Sequence, residues 1–137
     1  MKYRAGYKYQ VYEDETFLTG VKGFEIHSDF ITLMPDGHLT CKKGYAWDGA
    51  SGGPNGCLTI DTKNSMRGSL VHDAGYQLMR EGILPLDFKV VFDGLFYLTL
   101  LHDGMNRFRA WYWYKAVLWF AKGSTLPEHD RPILQAP

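Results

Sequence analysis

The sequence has no long hydrophobic run, no net charge and only two cysteines. No stretch approaches the roughly 18 uninterrupted apolar residues of a transmembrane helix, and the opening MKYRAGYKYQVYEDE has no apolar core like that of a signal peptide. Lys plus Arg and Asp plus Glu both number 15, so the formal net charge is zero. Nucleic-acid binders usually have a basic excess that neutralises phosphates, so this class is disfavoured.

The two cysteines, Cys41 and Cys57, do not form a CxxC pair, which makes a structural zinc site a poor fit. Two reduced thiols in a cytoplasmic protein are the simplest interpretation. One disulfide between the two is the alternative.

The chain has 137 residues, which is long enough for one domain with a sizeable core. Its first part has the sequence pattern of β-strands. In residues 1–47, YKYQVYE alternates apolar and polar side chains, and Pro35-Asp36-Gly37 is a turn sequence. We expect a small antiparallel β-meander that ends near Trp47.

The pattern changes after Trp47. Residues 48–64 are rich in glycine and predict a loop, residues 65–123 have helical signals, and residues 124–137 predict an extended tail. The whole is a single α+β domain, 1–137, in which the helices pack on the sheet. Glycine and proline positions divide the helical region into three predicted helices: residues 65–80, 86–102 and 106–122.

The first predicted helix has a polar face made of residue types that transfer protons or bind metals. His72 is the candidate general base, since a histidine titrates near neutrality. Adjacent helical residues point about 100° apart, so Asp73 is placed to bind a cation rather than to orient His72. Asp93, within the apolar VVFDGLFYLTL, needs a hydrogen-bond partner that His72 would provide. The polar face comprises Ser65, Ser69, His72, Asp73, Tyr76 and Arg80.

The loop GYAWDGASGGPNG contains a second polar group, Asp48 and Ser51. Glycine-rich backbone can direct its polar groups toward one point, and if Asp48 meets Asp73 the oxygen ligands favour calcium or magnesium over zinc. No Gly-Lys-Ser/Thr follows, and Ser51 is not in a GxSxG elbow. We therefore expect a divalent cation and no nucleotide or organic cofactor.

The two motifs YAWDGASGGP and RGSLVHDAGYQL together resemble an uncharacterised domain family of tailed bacteriophages and prophages. The likeness continues through Asp93-Gly-Leu-Phe96 and Tyr114-Lys-Ala-Val117 to Gly123. It implies a phage protein of the host cytoplasm or the virion, and it assigns no chemistry.

The helix with His-Asp-x-x-Tyr is also similar, over a shorter stretch, to that of secreted phospholipases of the A-two class. That resemblance implies His72 as the base, Asp73 as the cation ligand, Asp93 as the orienting acid and Tyr76 as a brace for the network. Those enzymes flank the motif with disulfide-bonded cysteines, whereas Ala74 and Gly75 stand here, so the likeness serves only as a template for the mechanism.

The third predicted helix is unusually aromatic, with seven aromatic side chains in the fifteen residues FRAWYWYKAVLWFAK. Apolar side chains cover more than half of its circumference. This predicts either burial against the sheet or a docking face on residues 106–122 for a membrane surface or for a phage or host protein.

Two functions fit these patterns. The first is a small phage hydrolase that cleaves an ester or amide bond of a lipid or cell-envelope substrate, with His72, Asp93 and Tyr76 as its catalytic group and Asp48 and Asp73 as metal ligands. The second is a non-catalytic virion or tail accessory protein, or a binder of a host factor, in which the same residues form a structural polar network.

Overall fold

The computed structural model describes residues 2–4, 9–47, 63–120 and 133–135. Its strands lie almost entirely before its helices, which confirms the α+β class. The elements are β1 (Lys2–Arg4), β2 (Tyr9–Gln10), β3 (Glu15–Leu18), β4 (Ile26–His27), β5 (Ile31–Leu33), β6 (His38–Cys41), β7 (Ala46–Trp47), α1 (Met66–Arg80), α2 (Lys89–His102), α3 (Arg107–Phe120) and β8 (Ile133–Gln135).

The main sheet has four antiparallel strands in the order β3-β6-β5-β4. Strands β4, β5 and β6 form the expected meander, and β5 turns into β6 at Pro35-Asp36-Gly37, where Gly37 has a φ of +97°. Strand β3 joins the opposite edge and pairs with β6 rather than with β4, its successor in the chain. The sheet is therefore a meander with one added strand.

Two short strand pairs lie outside this sheet. Strand β2 pairs with β7, so Tyr9 lies opposite Trp47. Strand β8 pairs with β1 and places Gln135 opposite Lys2. The predicted tail thus contains a strand that pairs with the first strand of the chain, which its sequence did not indicate.

One face of the sheet packs on α1. Alternate residues of β5 and β6 point to this side, and Leu33, Leu39 and Cys41 have no exposed surface. They share a buried cluster with Val71 and Leu78 of α1. Cys41 is a free thiol, and burial, together with the charges of Asp73 and Glu15, raises its pKa to about 12. This thiol is therefore a core residue, whereas Cys57 lies outside the described residues.

The helices begin and end close to the predicted glycine and proline positions, with one difference. Helix α1 ends before Gly82, whose φ of +74° is the left-handed conformation that glycine adopts without strain. Pro85 precedes a short 3-10 turn at Leu86–Phe88, so α2 begins at Lys89, three residues later than predicted. Asn106 caps α3 by accepting a hydrogen bond from the Phe108 amide at 2.9 Å.

Each helix packs against the next one along the chain. Helix α1 lies between the sheet and α2, because Phe92 of α2 shares the buried cluster of α1 and the sheet. Helix α3 contributes Ala110 and Trp113 to a second buried cluster with Phe96 and Leu100 of α2. Among the described residues this second cluster contains no sheet residue, so the α3 core is shared with α2.

Glycines allow α1 and α2 to approach closely. A Cβ atom on Gly75 would lie 2.3 Å from the ring of Phe92, and one on Gly68 would lie 3.2 Å from the carbonyl oxygen of Phe96. No side chain larger than hydrogen fits at Gly75 without moving Phe92. The helix contact that carries His72 therefore depends on a residue with no side chain.

The Gly75→Ala substitution should lower the free energy of unfolding by about 1–3 kcal/mol, because the added methyl group overpacks the α1–α2 contact. Gly94→Ala is the matched control. Gly94 is also helical, but a Cβ there meets nothing within 4 Å, so this change should raise the free energy of unfolding by up to about 1 kcal/mol. Urea unfolding of both variants checks the pair, and equal effects would contradict the close contact.

Candidate functional site

Four polar side chains meet at the contact between α1 and α2. His72 and Tyr76 are four residues apart on α1, and Lys89 and Asp93 are four residues apart on α2. This spacing puts each pair on one face of its helix. Asp93 is completely buried, and His72 and Tyr76 retain 5% and 2% of their exposure.

The carboxylate of Asp93 is the centre of the group. Its Oδ1 accepts hydrogen bonds from His72 Nε2 at 2.7 Å and from the Tyr76 hydroxyl at 2.5 Å. Its Oδ2 accepts one from Lys89 Nζ at 2.6 Å. Since an ionised carboxylate can only accept, Nε2 carries a proton in both the neutral and the charged form of the His72 ring. Both oxygens of Asp93 are thus satisfied, as a buried charge requires.

The pairing of His72 with Asp93 is the one expected from the sequence, and the Tyr76 contact agrees with the phospholipase template. Lys89 was not predicted. A lysine four residues before a carboxylate in an apolar helix is the signal that could have identified it, because residues i and i+4 are neighbours on a helix surface.

The second nitrogen of His72 faces a different carboxylate. Its Nδ1 lies 3.8 Å from Asp73 Oδ1, which is too far for a hydrogen bond. The Asp73 side chain keeps 33% of its exposure, against 6% for that of His72. The ring also packs on Tyr76 and Phe96, at centroid distances of 4.0 and 5.2 Å. The Nδ1 edge therefore points toward the more open side of the group.

The surroundings shift the pKa values of the group in different directions. Burial raises the pKa of Asp93, but the hydrogen bonds from His72, Lys89 and Tyr76 outweigh burial and hold it below its ordinary value. Burial lowers the pKa of His72, yet the carboxylates of Asp73 and Asp93 outweigh burial and raise it above 6.5. Burial and Asp93 both raise the pKa of Tyr76. At neutral pH Asp93 is therefore ionised and Tyr76 is protonated, and His72 keeps its second proton to a higher pH than an ordinary histidine does.

Ser69 belongs to a different contact. Its hydroxyl accepts a hydrogen bond from Trp47 Nε1 at 3.0 Å and donates one to the Met66 carbonyl at 2.9 Å. It is 1% exposed. Ser69 therefore links β7 to the first turn of α1, and neither of these hydrogen bonds involves Asp93.

The other predicted site residues, Asp48 and Ser51, lie outside the described residues, as does most of the glycine-rich loop. The expected meeting of Asp48 with Asp73 remains a prediction. Among the residues that the structure does describe, no three His, Cys, Asp or Glu side chains form a group that could hold a metal ion.

A pocket of about 440 Å³ lies beside the start of α1. Met66, Arg67 and Leu70 form one wall, and residues 10–13, Glu15 and Trp47 contribute the rest of its described lining. His72 and Asp93 are not part of it. The pocket and the buried group are therefore distinct features of the same helix.

Comparison of the chain with protein-family models, with curated proteins and with solved structures finds no significant match. The phage and phospholipase resemblances thus rest on the sequence motifs alone. Within the described residues, every helix is too short or too polar to cross a membrane.

The stability of the protein should depend on pH through His72. Because its folded-state pKa lies above its ordinary 6.5, the stabilisation from the imidazolium is complete below that pH and is lost as the pH rises through the folded-state pKa. The gap in free energy of unfolding between the wild type and His72→Gln should therefore shrink as the pH rises from below 6.5 into the alkaline range.

Denaturant unfolding across this range measures the gap. His38→Gln is the control, because His38 pairs with Asp36 on the exposed surface, where such pairs contribute little. A gap for His72→Gln that is constant or widens with pH would show that the imidazolium is not the stabilising form. Below pH 3.8 a separate loss is expected as Asp93, whose pKa is lowered, becomes protonated.

Proposed function

We propose that the chain is a small hydrolase in which His72 activates water and Asp93 orients the imidazole. The observation that carries this proposal is the 2.7 Å hydrogen bond from His72 Nε2 to the buried Asp93. It fixes the ring and its tautomer, and it leaves Nδ1, on the Asp73 side, as the basic nitrogen once the ring is neutral. An orienting acid on one nitrogen and a free lone pair on the other is the arrangement of a general base.

The roles of the neighbouring residues follow from their contacts. Tyr76 and Lys89 hold the Asp93 carboxylate at 2.5 and 2.6 Å, so both are positioning residues. Asp73, beside Nδ1, would hold a divalent cation with Asp48, and calcium or magnesium suits these oxygen ligands better than zinc. The cation would stabilise the negative charge that develops on a carbonyl oxygen when water attacks.

The proposed substrate is an ester or amide bond of a lipid or of the cell envelope. The support is the resemblance of the motifs to a phage family and to secreted phospholipases, together with aromatic side chains on the surface of α3. On this view the protein acts in the host cytoplasm or from the virion.

A second function is favoured by one specific observation, the burial of the whole group. With Asp93 fully buried and His72 at 5% exposure, the residues form a satisfied polar network of the kind that specifies helix packing. The chain would then be a virion or tail accessory protein, or a binder of a host factor, and α3 would be its docking face.

The His72→Gln variant separates the two functions. If His72 is the base, hydrolysis of short-chain esters, phospholipids or peptidoglycan fragments should fall by about 100-fold or more. The wild-type rate should increase with pH as the raised pKa of His72 is passed, since only the neutral ring accepts a proton. Rates with and without calcium or magnesium, and a melt of each variant, accompany the assay.

Two outcomes decide between them. Loss of turnover in a variant that is still folded at the assay temperature supports the hydrolase, provided that the exposed-residue control His38→Gln keeps full activity. Turnover that survives in His72→Gln, or no turnover of any substrate by the wild type, favours the accessory or binding protein.

The proposed cation site has its own test. A cation at about 100 times its dissociation constant adds about 2.7 kcal/mol to the free energy of unfolding, which is several degrees of melting temperature for a domain of this size. We expect calcium or magnesium to raise the melting temperature of the wild type and not of Asp73→Asn. Asp29→Asn, at an exposed position, is the control and should keep the increase. No increase with any cation would remove the metal from the proposal.

A further inference from the structure

Helix α3 turns an aromatic face to the solvent. Phe108, Trp111 and Tyr112 keep 75%, 47% and 42% of their exposure. Arg107 and Lys115 are also exposed. At 100° per residue these five positions fall within an arc of about 140°. The opposite side of α3, with Ala110 and Trp113, is buried against α2.

Basic side chains are interleaved with the aromatic ones. Around the arc the order is Arg107, Trp111, Lys115, Phe108 and Tyr112, as the helical angle dictates. Lys115 Nζ lies 5.8 Å from the centre of the Trp111 ring, so the ammonium group and the indole ring are neighbours on the surface. Arg107 precedes Trp111 by four residues, so the helical spacing puts these two positions side by side as well.

Residues 88–118, which include α2 and most of α3, have no exposed acidic side chain. In residues 88–118, all of which the structure describes, the only acidic residues are Asp93 and Asp103. Asp93 is buried, and the Asp103 side chain, 15% exposed, pairs with Arg67 at 2.9 Å. The chain as a whole has a formal net charge of zero, so the positive charge of α3 is a local feature.

We propose that this face of α3, defined by Arg107, Phe108, Trp111, Tyr112 and Lys115, docks on the surface of an anionic lipid bilayer. Trp and Tyr suit a boundary that is apolar on one side and wet on the other, and basic side chains are attracted to anionic headgroups. Helix α3 has 14 residues, fewer than the roughly 20 that span a bilayer. The helix therefore lies in the plane of the interface.

This docking does not depend on the hydrolase proposal, because it concerns binding and uses none of the residues around Asp93. If both hold, docking brings the protein to a lipid substrate. A failure of turnover with binding intact removes only the hydrolase. A failure of binding with turnover of a dissolved ester intact removes only the docking face.

Flotation of the full chain with lipid vesicles tests the proposal. Vesicles of phosphatidylcholine alone are compared with vesicles that also contain phosphatidylglycerol, at low and high salt. We expect binding to the anionic vesicles that weakens as salt screens the charges. The double change Arg107→Gln/Lys115→Gln should weaken it by about 25-fold, at about fivefold for each charge, and Phe108→Ser/Trp111→Ser by at least about tenfold.

Matched controls remove equivalent groups from the strand-rich part of the chain, outside α3. Leu18→Ser deletes an apolar side chain that is 65% exposed on β3, and Lys22→Gln deletes an exposed charge; neither should change vesicle binding. Absence of binding to anionic vesicles, or equal losses in the controls and the α3 variants, overturns the proposal. A third result would also overturn it: sedimentation shows concentration-dependent dimerisation that the α3 changes abolish, and no vesicle binding is found. The face would then be a contact between two copies of the chain.

Discussion

The buried carboxylate of Asp93 constrains the structure around it, because a charge with no exposed surface is tolerated only when its oxygens are hydrogen-bonded. Three donors meet that demand, two from α1 and one from the first turn of α2. The register of α1 against α2 is thereby specified: sliding either helix by one turn would separate Asp93 from His72 and Tyr76. The requirement also explains the close approach at Gly75, since a larger residue there would hold the helices apart.

The same network sets the chemistry that His72 can perform. Asp93 and Asp73 lie on the two sides of its ring, so the imidazolium is favoured even though burial disfavours it. A histidine with a raised pKa stays a structural cation to a higher pH than an ordinary histidine and becomes a base only above that pH. The structural and catalytic interpretations are therefore two protonation states of one arrangement. Which state matters depends on the working pH and on access to Nδ1, rather than on a different set of contacts.

The sequence allowed much of the fold and part of the site to be predicted, and the physical reason differs from residue to residue. The pairing of Asp93 with His72 was predictable because an isolated carboxylate in an apolar helix requires a donor. The end of α1 at Gly82 was predictable because positive φ is a local property. The pairing of β3 with β6 was not, since the choice of strand neighbour depends on contacts distant in sequence. The exposure of α3 was not either, because aromatic residues all around a helix give no preferred buried side.

The structure shows which side of α3 is buried. Once Trp113 and Ala110 pack on α2, the geometry of a helix places Phe108, Trp111 and Tyr112 on the outer side, where they keep much of their exposure. Polar residues on that outer side would leave the buried contact of Ala110 and Trp113 with α2 in place and would lower the risk of aggregation. Aromatic residues interleaved with arginine and lysine are therefore not explained by folding alone. An exposed aromatic surface that carries positive charge in a chain of zero net charge is most simply explained by a partner that is apolar and anionic at once.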